Sequence, residues 1–369
     1  MYSVVIVFLL LAFVIPEKEK TYTTADFPFF VGTYTNSKSE GIYKYVLRKD
    51  GTLKSLGLAA KLDNPSFLAK SADNKFLVAV SEISNTDGIG FLKSYAIRGD
   101  SLQFINTKSS AGKHPCFVTI NKMGYVVTAN YSDGTVALLK MNATGELSDP
   151  LDLQQHTGKG TSQRQKGPHA HSAWFASNAI DLISVDLGTN ELWFSQIDTL
   201  TNKLVPKNPS TLAMTAGAGP RHMTFHPNGK WAYVLNELSS TTTLLEKNAL
   251  GNYTIVSSIS TLPTEYKDPN SCADIHISTD GRFVYASNRG HNSIVIYKVK
   301  AEDGTLTLVG HEATRGRVPR NFSLSPDGNY LLVANQETNT IVSFRRNTKT
   351  GSLTFIDKIA APTPVCILF

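Results

Sequence analysis

Five side chains suited to proton and anion chemistry recur at matching places in this sequence: His171, Arg221, Glu237, Arg289 and Arg320. Glu237 and His171 offer a general base and acid. Three guanidiniums facing one cavity would repel unless a carboxylate or an anion joined them. The planar fork of arginine suits bidentate binding of phosphate or carboxylate. A base for water, with cationic groups where an oxyanion develops, is the minimum for hydrolysing an activated ester or lactone.

An internal repeat is what predicts that these residues meet. Its first mark is a hairpin of two β-rich runs around a polar turn, as in Tyr43-Lys44-Tyr45-Val46 … Asp50-Gly51-Thr52-Leu53. The hairpin recurs near Gly99, Gly145, Asn202, Gly251, Gly304 and Gly351. Between the hairpins lies a second mark: a first apolar strand, a turn, and a second apolar strand. Pro220 to Phe225, Pro227-Asn228-Gly229 and Trp231 to Asn236 carry it most clearly. Copies run from Pro65 to Ser81, Pro115 to Asn130, Ala170 to Asp186, Cys272 to Asn288 and Pro319 to Asn335. The spacing of roughly 45 to 55 residues is the period of a four-stranded propeller blade.

A seventh copy is split between the chain ends. Thr363 to Phe369 matches a first strand and Phe29 to Tyr34 a second. Joined, they predict a blade built from both termini, which closes the ring and leaves only short edges. An open solenoid would carry polar capping repeats, whereas this sequence ends on Cys366-Ile367-Leu368-Phe369. No window sustains a helical apolar period, and the Asn-Gly and Asp-Gly turns at Gly229, Gly281 and Gly328 suit tight hairpins. The expected fold is an all-β seven-bladed propeller of four-stranded antiparallel blades over residues 23–369.

Equivalent repeat positions are equivalent places in space. The starts of the first strands read Ser66, Cys116, His171, Arg221, Ala273, Arg320 and Val365. The positions just past the second strands read Glu82, Leu187, Glu237, Arg289 and Gln336 in copies of regular length. The two strands run in opposite directions, so both sets belong at one mouth of the ring. Charge at such positions, where other blades carry Ser, Cys, Ala or Val, marks a functional cluster. His169 and His171 could also hold a metal, but no carboxylate cluster accompanies them; no metal or cofactor is expected. Asp274 and His276 read as a buried hydrogen-bonded pair.

Bulk composition agrees with a soluble globular chain: 41% hydrophobic, 18% charged, with a formal charge of +6. The densest basic stretch, Lys159, Arg164 and Lys166, sits in a Gly/Ser/Gln-rich loop without interleaved aromatics, which argues against a nucleic-acid face. Cys116, Cys272 and Cys366 lie in first strands and read as small buried hydrophobes. Val4 to Ile15 is an uncharged apolar run, too short to span a membrane and suited to a signal-peptide core. Residues 1–22 are therefore expected to be a signal peptide or short N-terminal anchor, with the protein exported to a periplasmic or extracellular space.

Gly219-Pro220-Arg221-His222-Met223, Asn236-Glu237, Ala273-Asp274-Ile275-His276-Ile277 and Pro168-His169-Ala170-His171-Ser172 together resemble the seven-bladed propeller lactonase family. That family includes the propeller-type 6-phosphogluconolactonase and the fungal carboxy-muconate lactonising enzyme. The resemblance implies metal-independent hydrolysis of 6-phosphogluconolactone or a related anionic sugar lactone. It carries the catalytic role to His171, Arg221, Glu237 and Arg289, with either Glu237 or His171 activating water. Substrate contacts are expected at His169, His222, Arg320 and Gln336. The phosphogluconolactonase of the family is cytosolic, so an exported member would meet a different lactone, such as an aldonolactone or uronic-acid lactone. A non-catalytic propeller binding carbohydrate or protein, and a muconate-type cycloisomerase, are the competing readings.

Overall fold

The computed structural model describes residues 26–84 and 88–369. The apolar run read as an export signal lies outside them. Among the described residues, twenty-eight strands form seven four-stranded sheets, and there is no α-helix. Six of the sheets are antiparallel meanders whose spatial order follows the chain, as in Pro220–Phe225, Trp231–Asn236, Thr241–Lys247 and Tyr253–Ser260. The second strands are apolar on both faces, each packed on a neighbouring blade: in blade 4, Tyr233 and Leu235 face one side and Ala232 and Val234 the other. One such interface joins Tyr233, Leu235 and Leu244 to Ile275, Val284 and Val295. Blades 1 to 6 cover residues 68–109, 115–155, 170–213, 220–260, 271–313 and 319–360.

Blade 7 is composite, as the split repeat predicts. The C-terminal strand Pro364–Leu368 pairs with Phe27–Thr33, aligning Val31 with Ile367. Phe369 packs its ring 5.2 Å from that of Phe29. The blades are also stitched around the channel: Asp274 Oδ2 accepts from Asn321 Nδ2 at 2.6 Å, and Asn321 Oδ1 accepts from Ile367 N at 2.6 Å. Gly229, Gly281 and Gly328 adopt φ of 71°, 71° and 69° at the turns between first and second strands, a region that favours glycine.

A β-bulge opens the first strand in at least six blades. The residue that slips out of register is Cys116, His171, Arg221, Ala273, Arg320 or Val365. These are the positions selected by the repeat. A bulged residue leaves the pleat and is re-aimed away from the sheet faces. Here it turns toward the channel: Ser66, Cys116, Arg221, Arg320 and Val365 line one central cavity with Phe67, His222 and Asn321.

Candidate active site

Glu237 is the centre of the cluster. It follows the second strand of blade 4 and is only 3% exposed. Its Oε2 lies 2.8 Å from Arg289 Nη2 of blade 5 and 3.0 Å from Arg221 Nε of its own blade. Its Oε1 accepts from Arg164 Nη1 at 2.6 Å. Burial by itself would raise this carboxyl, but Arg289, Arg221 and Arg164 outweigh it and hold Glu237 down at about 2. The carboxylate is therefore ionised throughout the physiological range.

Arg221 is held by its surroundings. Its Nη1 donates to the carbonyl of Ala273 and, at 3.2 Å, to His222 Nε2. Because a guanidinium only donates, His222 Nε2 must accept, and Nδ1 carries the proton toward Asp274 Oδ1 at 2.8 Å. Burial and the neighbouring Arg221 push His222 down to about 4, so the ring is neutral. Asp274 in turn accepts from His276 Nε2 at 3.0 Å, as well as from Asn321. The expected Asp274–His276 pair is thus one arm of a network that fixes the Arg221 fork. Burial, with Arg289 and Arg320 nearby, lowers Arg221 to about 9, which leaves it charged at neutral pH.

Arg289 donates from Nη2 to the Cys272 carbonyl at 2.7 Å. Arg320, from blade 6, donates from Nη2 to Tyr34 Oη at 2.9 Å, and Tyr34 donates to Glu82 Oε2 at 2.8 Å. Burial opposes the charge on Arg320, but Tyr34, Glu82 and Glu237 more than compensate and raise its pKa. His171 is 5% exposed, with its ring edge-on to Tyr131 and His222 at 5.4 Å each. Burial, then Arg221, His222 and Arg320, push His171 well below its ordinary value; it is a neutral imidazole.

His171, Arg221, Glu237, Arg289 and Arg320 therefore converge on one mouth. Of the other expected contacts, His222 lies beneath Arg221 and lines the channel cavity. His169 stacks on Tyr131 at 4.6 Å, and its Nδ1 lies 2.9 Å from the Tyr131 carbonyl, so it buttresses that tyrosine. Gln336 is half-buried, and its backbone N–H donates to the Val318 carbonyl. Among the described residues, no three His, Cys, Asp or Glu side chains group to hold a metal ion.

Three participants lay outside the expectation: Tyr131, Tyr34 and Arg164. Tyr131 and Tyr34 occupy the place of Glu237 in blades 2 and 7, immediately after Asn130 and Thr33. Glu82 does so in blade 1 and was visible in the repeat, but its partner Tyr34 was not. Arg164, read as part of a basic surface loop, instead reaches the buried carboxylate.

A buried carboxylate, a neutral imidazole and several guanidiniums at the channel mouth of a seven-bladed ring are groups able to bind an anion and assist cleavage of an ester or lactone. Residues 28–369 match the family described as Lactonase, 7-bladed beta-propeller. The chain belongs to this lactonase family and is a lactonase. It is 38% identical over 303 residues to a 6-phosphogluconolactonase of Bacillus subtilis, covering 79% of this chain and 83% of that protein. A 6-phosphogluconolactonase of Formosa agariphila is 36% identical, covering 80% and 85%. The structure of a periplasmic gluconolactonase of Pseudomonas aeruginosa superposes with a TM-score of 0.88 at 28% identity, covering 93% of this chain and 98% of that one.

Proposed function

We propose that this protein hydrolyses an anionic sugar lactone, 6-phosphogluconolactone or a related aldonolactone, without a metal ion. The observation that carries the reading is the charge balance at the mouth. Four guanidiniums, Arg164, Arg221, Arg289 and Arg320, face two carboxylates, Glu237 and Glu82. Even with Asp274 beneath Arg221, positive charge is in excess, and a desolvated excess favours an anionic guest. The two relatives named as 6-phosphogluconolactonases support the phosphorylated lactone; the periplasmic gluconolactonase supports an exported enzyme acting on an unphosphorylated one. Export itself rests on the apolar run Val4 to Ile15.

In the proposed reaction, Glu237 takes a proton from water as the oxygen attacks the lactone carbonyl. Arg289 and Arg221 stabilise the oxyanion, and collapse breaks the ring C–O bond. The proton returns to the leaving hydroxyl, giving the open hydroxy acid. His171, a neutral imidazole edge-on to Tyr131 and His222, positions the water. A cation is disfavoured at the reacting centre because four guanidiniums already supply its charge. The test is turnover of 6-phosphogluconolactone and gluconolactone by the purified chain, followed by pH-stat. Opening of either above the spontaneous rate supports hydrolysis, and preference for the phosphorylated lactone supports the anion assignment. Absence of turnover on both would overturn the reading.

A further inference from the structure

The longest crossing between blades among the described residues is 156–169, joining blade 2 to blade 3. It is a strap with a fixed base. His156, fully buried, lies with Nδ1 2.8 Å from Asp186 Oδ2 and stacks on Trp193 at 4.3 Å. Asp186 Oδ1 accepts from His169 N at 2.8 Å, securing the far end. Gln165 is also fully buried: its Nε2 donates to the Leu187 carbonyl at 2.7 Å and to Asn190 Oδ1 at 3.0 Å. Gly188 allows the strap to lie close, because a Cβ there would strike the Gly167 carbonyl.

Next to this buried anchor, Arg164 behaves differently. Its side chain is 50% exposed, while those of Arg221 and Arg289 are 3% and 13% exposed. Its Nη1 covers Glu237 Oε1, and Nη2 donates to Tyr131 Oη at 3.2 Å. Glu237 Oε2 is separately held by the two buried arginines. Arg164 is thus the one guanidinium on Glu237 that can leave without stranding itself in a dry site. Its departure would leave the carboxylate fixed by Oε2 and free at Oε1.

We propose that Arg164 is the specificity-determining residue for an anionic substituent: it transfers its fork from Glu237 Oε1 to the phosphate or carboxylate of the arriving lactone, and so frees Oε1 for water. The inference rests on the anionic-lactone reading above and adds to it the residue that recognises the anion. A phosphate offers more charge and more acceptor oxygens than the Glu237 carboxylate and so competes for the Arg164 fork, while Arg221 and Arg289 keep that carboxylate paired through Oε2. A neutral lactone gives Arg164 nothing to transfer to and meets a covered base. Losing one of three neutralising cations also makes Glu237 a stronger base in the complex than in the free protein.

The experiment compares the full chain with Arg164→Ala and Arg164→Lys. It measures kcat/KM on 6-phosphogluconolactone and gluconolactone, and calorimetric binding of 6-phosphogluconate. In Arg164→Ala, the ratio of kcat/KM for the phosphorylated over the neutral lactone should fall at least tenfold, and 6-phosphogluconate should bind at least tenfold more weakly. Arg164→Lys should fall between, keeping the charge without the fork. A ratio and an affinity both within twofold of the unsubstituted chain would overturn the proposal, as would an equal loss on both lactones. If the unsubstituted chain opens neither lactone, hydrolysis fails as a reading and binding alone judges Arg164. A tenfold loss of 6-phosphogluconate affinity then supports its role; equal or absent binding overturns it.

Discussion

Glu237 and Arg289 belong to neighbouring blades, yet Oε2 of one lies 2.8 Å from Nη2 of the other, and both are largely buried. The contact joins two repeat positions of the same type, the residue that ends or follows a second strand. Charge complementarity between blades has replaced the apolar or small residue that the scaffold would accept. Breaking a buried pair from one side costs about 3–5 kcal/mol, because the remaining charge has no water to return to.

With Glu237 as the proposed base, its depressed carboxyl sets the expected pH dependence. A base must be deprotonated to work, and Glu237 in the free protein stays so down to about 2. The kcat/KM profile on gluconolactone, which carries no phosphate to titrate, should therefore stay flat from pH 7 to about pH 5, above the His222 value of about 4, with no fall near the ordinary histidine pKa of about 6.5. An acid limb between pH 6 and 7 would assign the base to another group. The same shift contributes stability above the unfolded pKa of about 4.3, lost as pH falls toward 2.

Asp274 links three blades. It accepts from His222, His276 and Asn321 and from the backbone of Ile275 and Phe322. Asp274→Ala should strand buried donors and cost about 3 kcal/mol or more, read as a lower urea midpoint. It should also lower kcat, since the His222 tautomer that orients Arg221 is no longer set. A loss below about 1 kcal/mol would show that the network is dispensable.

Closure of the ring depends on the last few residues. Removing 364–369 deletes the inner strand of blade 7, the Phe369–Phe29 contact and the Asn321–Ile367 bond. The truncated chain should lose its cooperative thermal transition. A transition within a few degrees of the full chain would contradict a ring held by its termini.

Chelation should leave turnover unchanged, because the charge that a divalent cation would supply is already provided by arginine. Reaction rates with and without excess chelator check this, and inactivation reversed by added metal would contradict it.

The fold was legible because its repeat is explicit. Even the split blade could be read from Thr363–Phe369 and Phe29–Tyr34. The alignment of His171, Arg221 and Arg320 was legible for a physical reason: the same bulge starts each of those strands. Tyr131 escaped because the turn before Tyr125 is one residue shorter than that before Trp231, which moves the count by one. Tyr34 escaped because its blade is divided between the termini. Arg164 has no counterpart in any repeat. Its reach depends on where the strap is pinned by Gln165 and His156, information held in tertiary packing and not in spacing.

The Glu237–arginine cluster is proposed to open the lactone ring. Its most direct test is the turnover number of Glu237→Gln against the unsubstituted chain on 6-phosphogluconolactone and gluconolactone, with folding checked by circular dichroism. A fall of about 10²–10⁴ is expected on the preferred lactone, in a protein that keeps its β spectrum. Turnover within a few-fold of the unsubstituted chain would contradict it and remove Glu237 from the reaction.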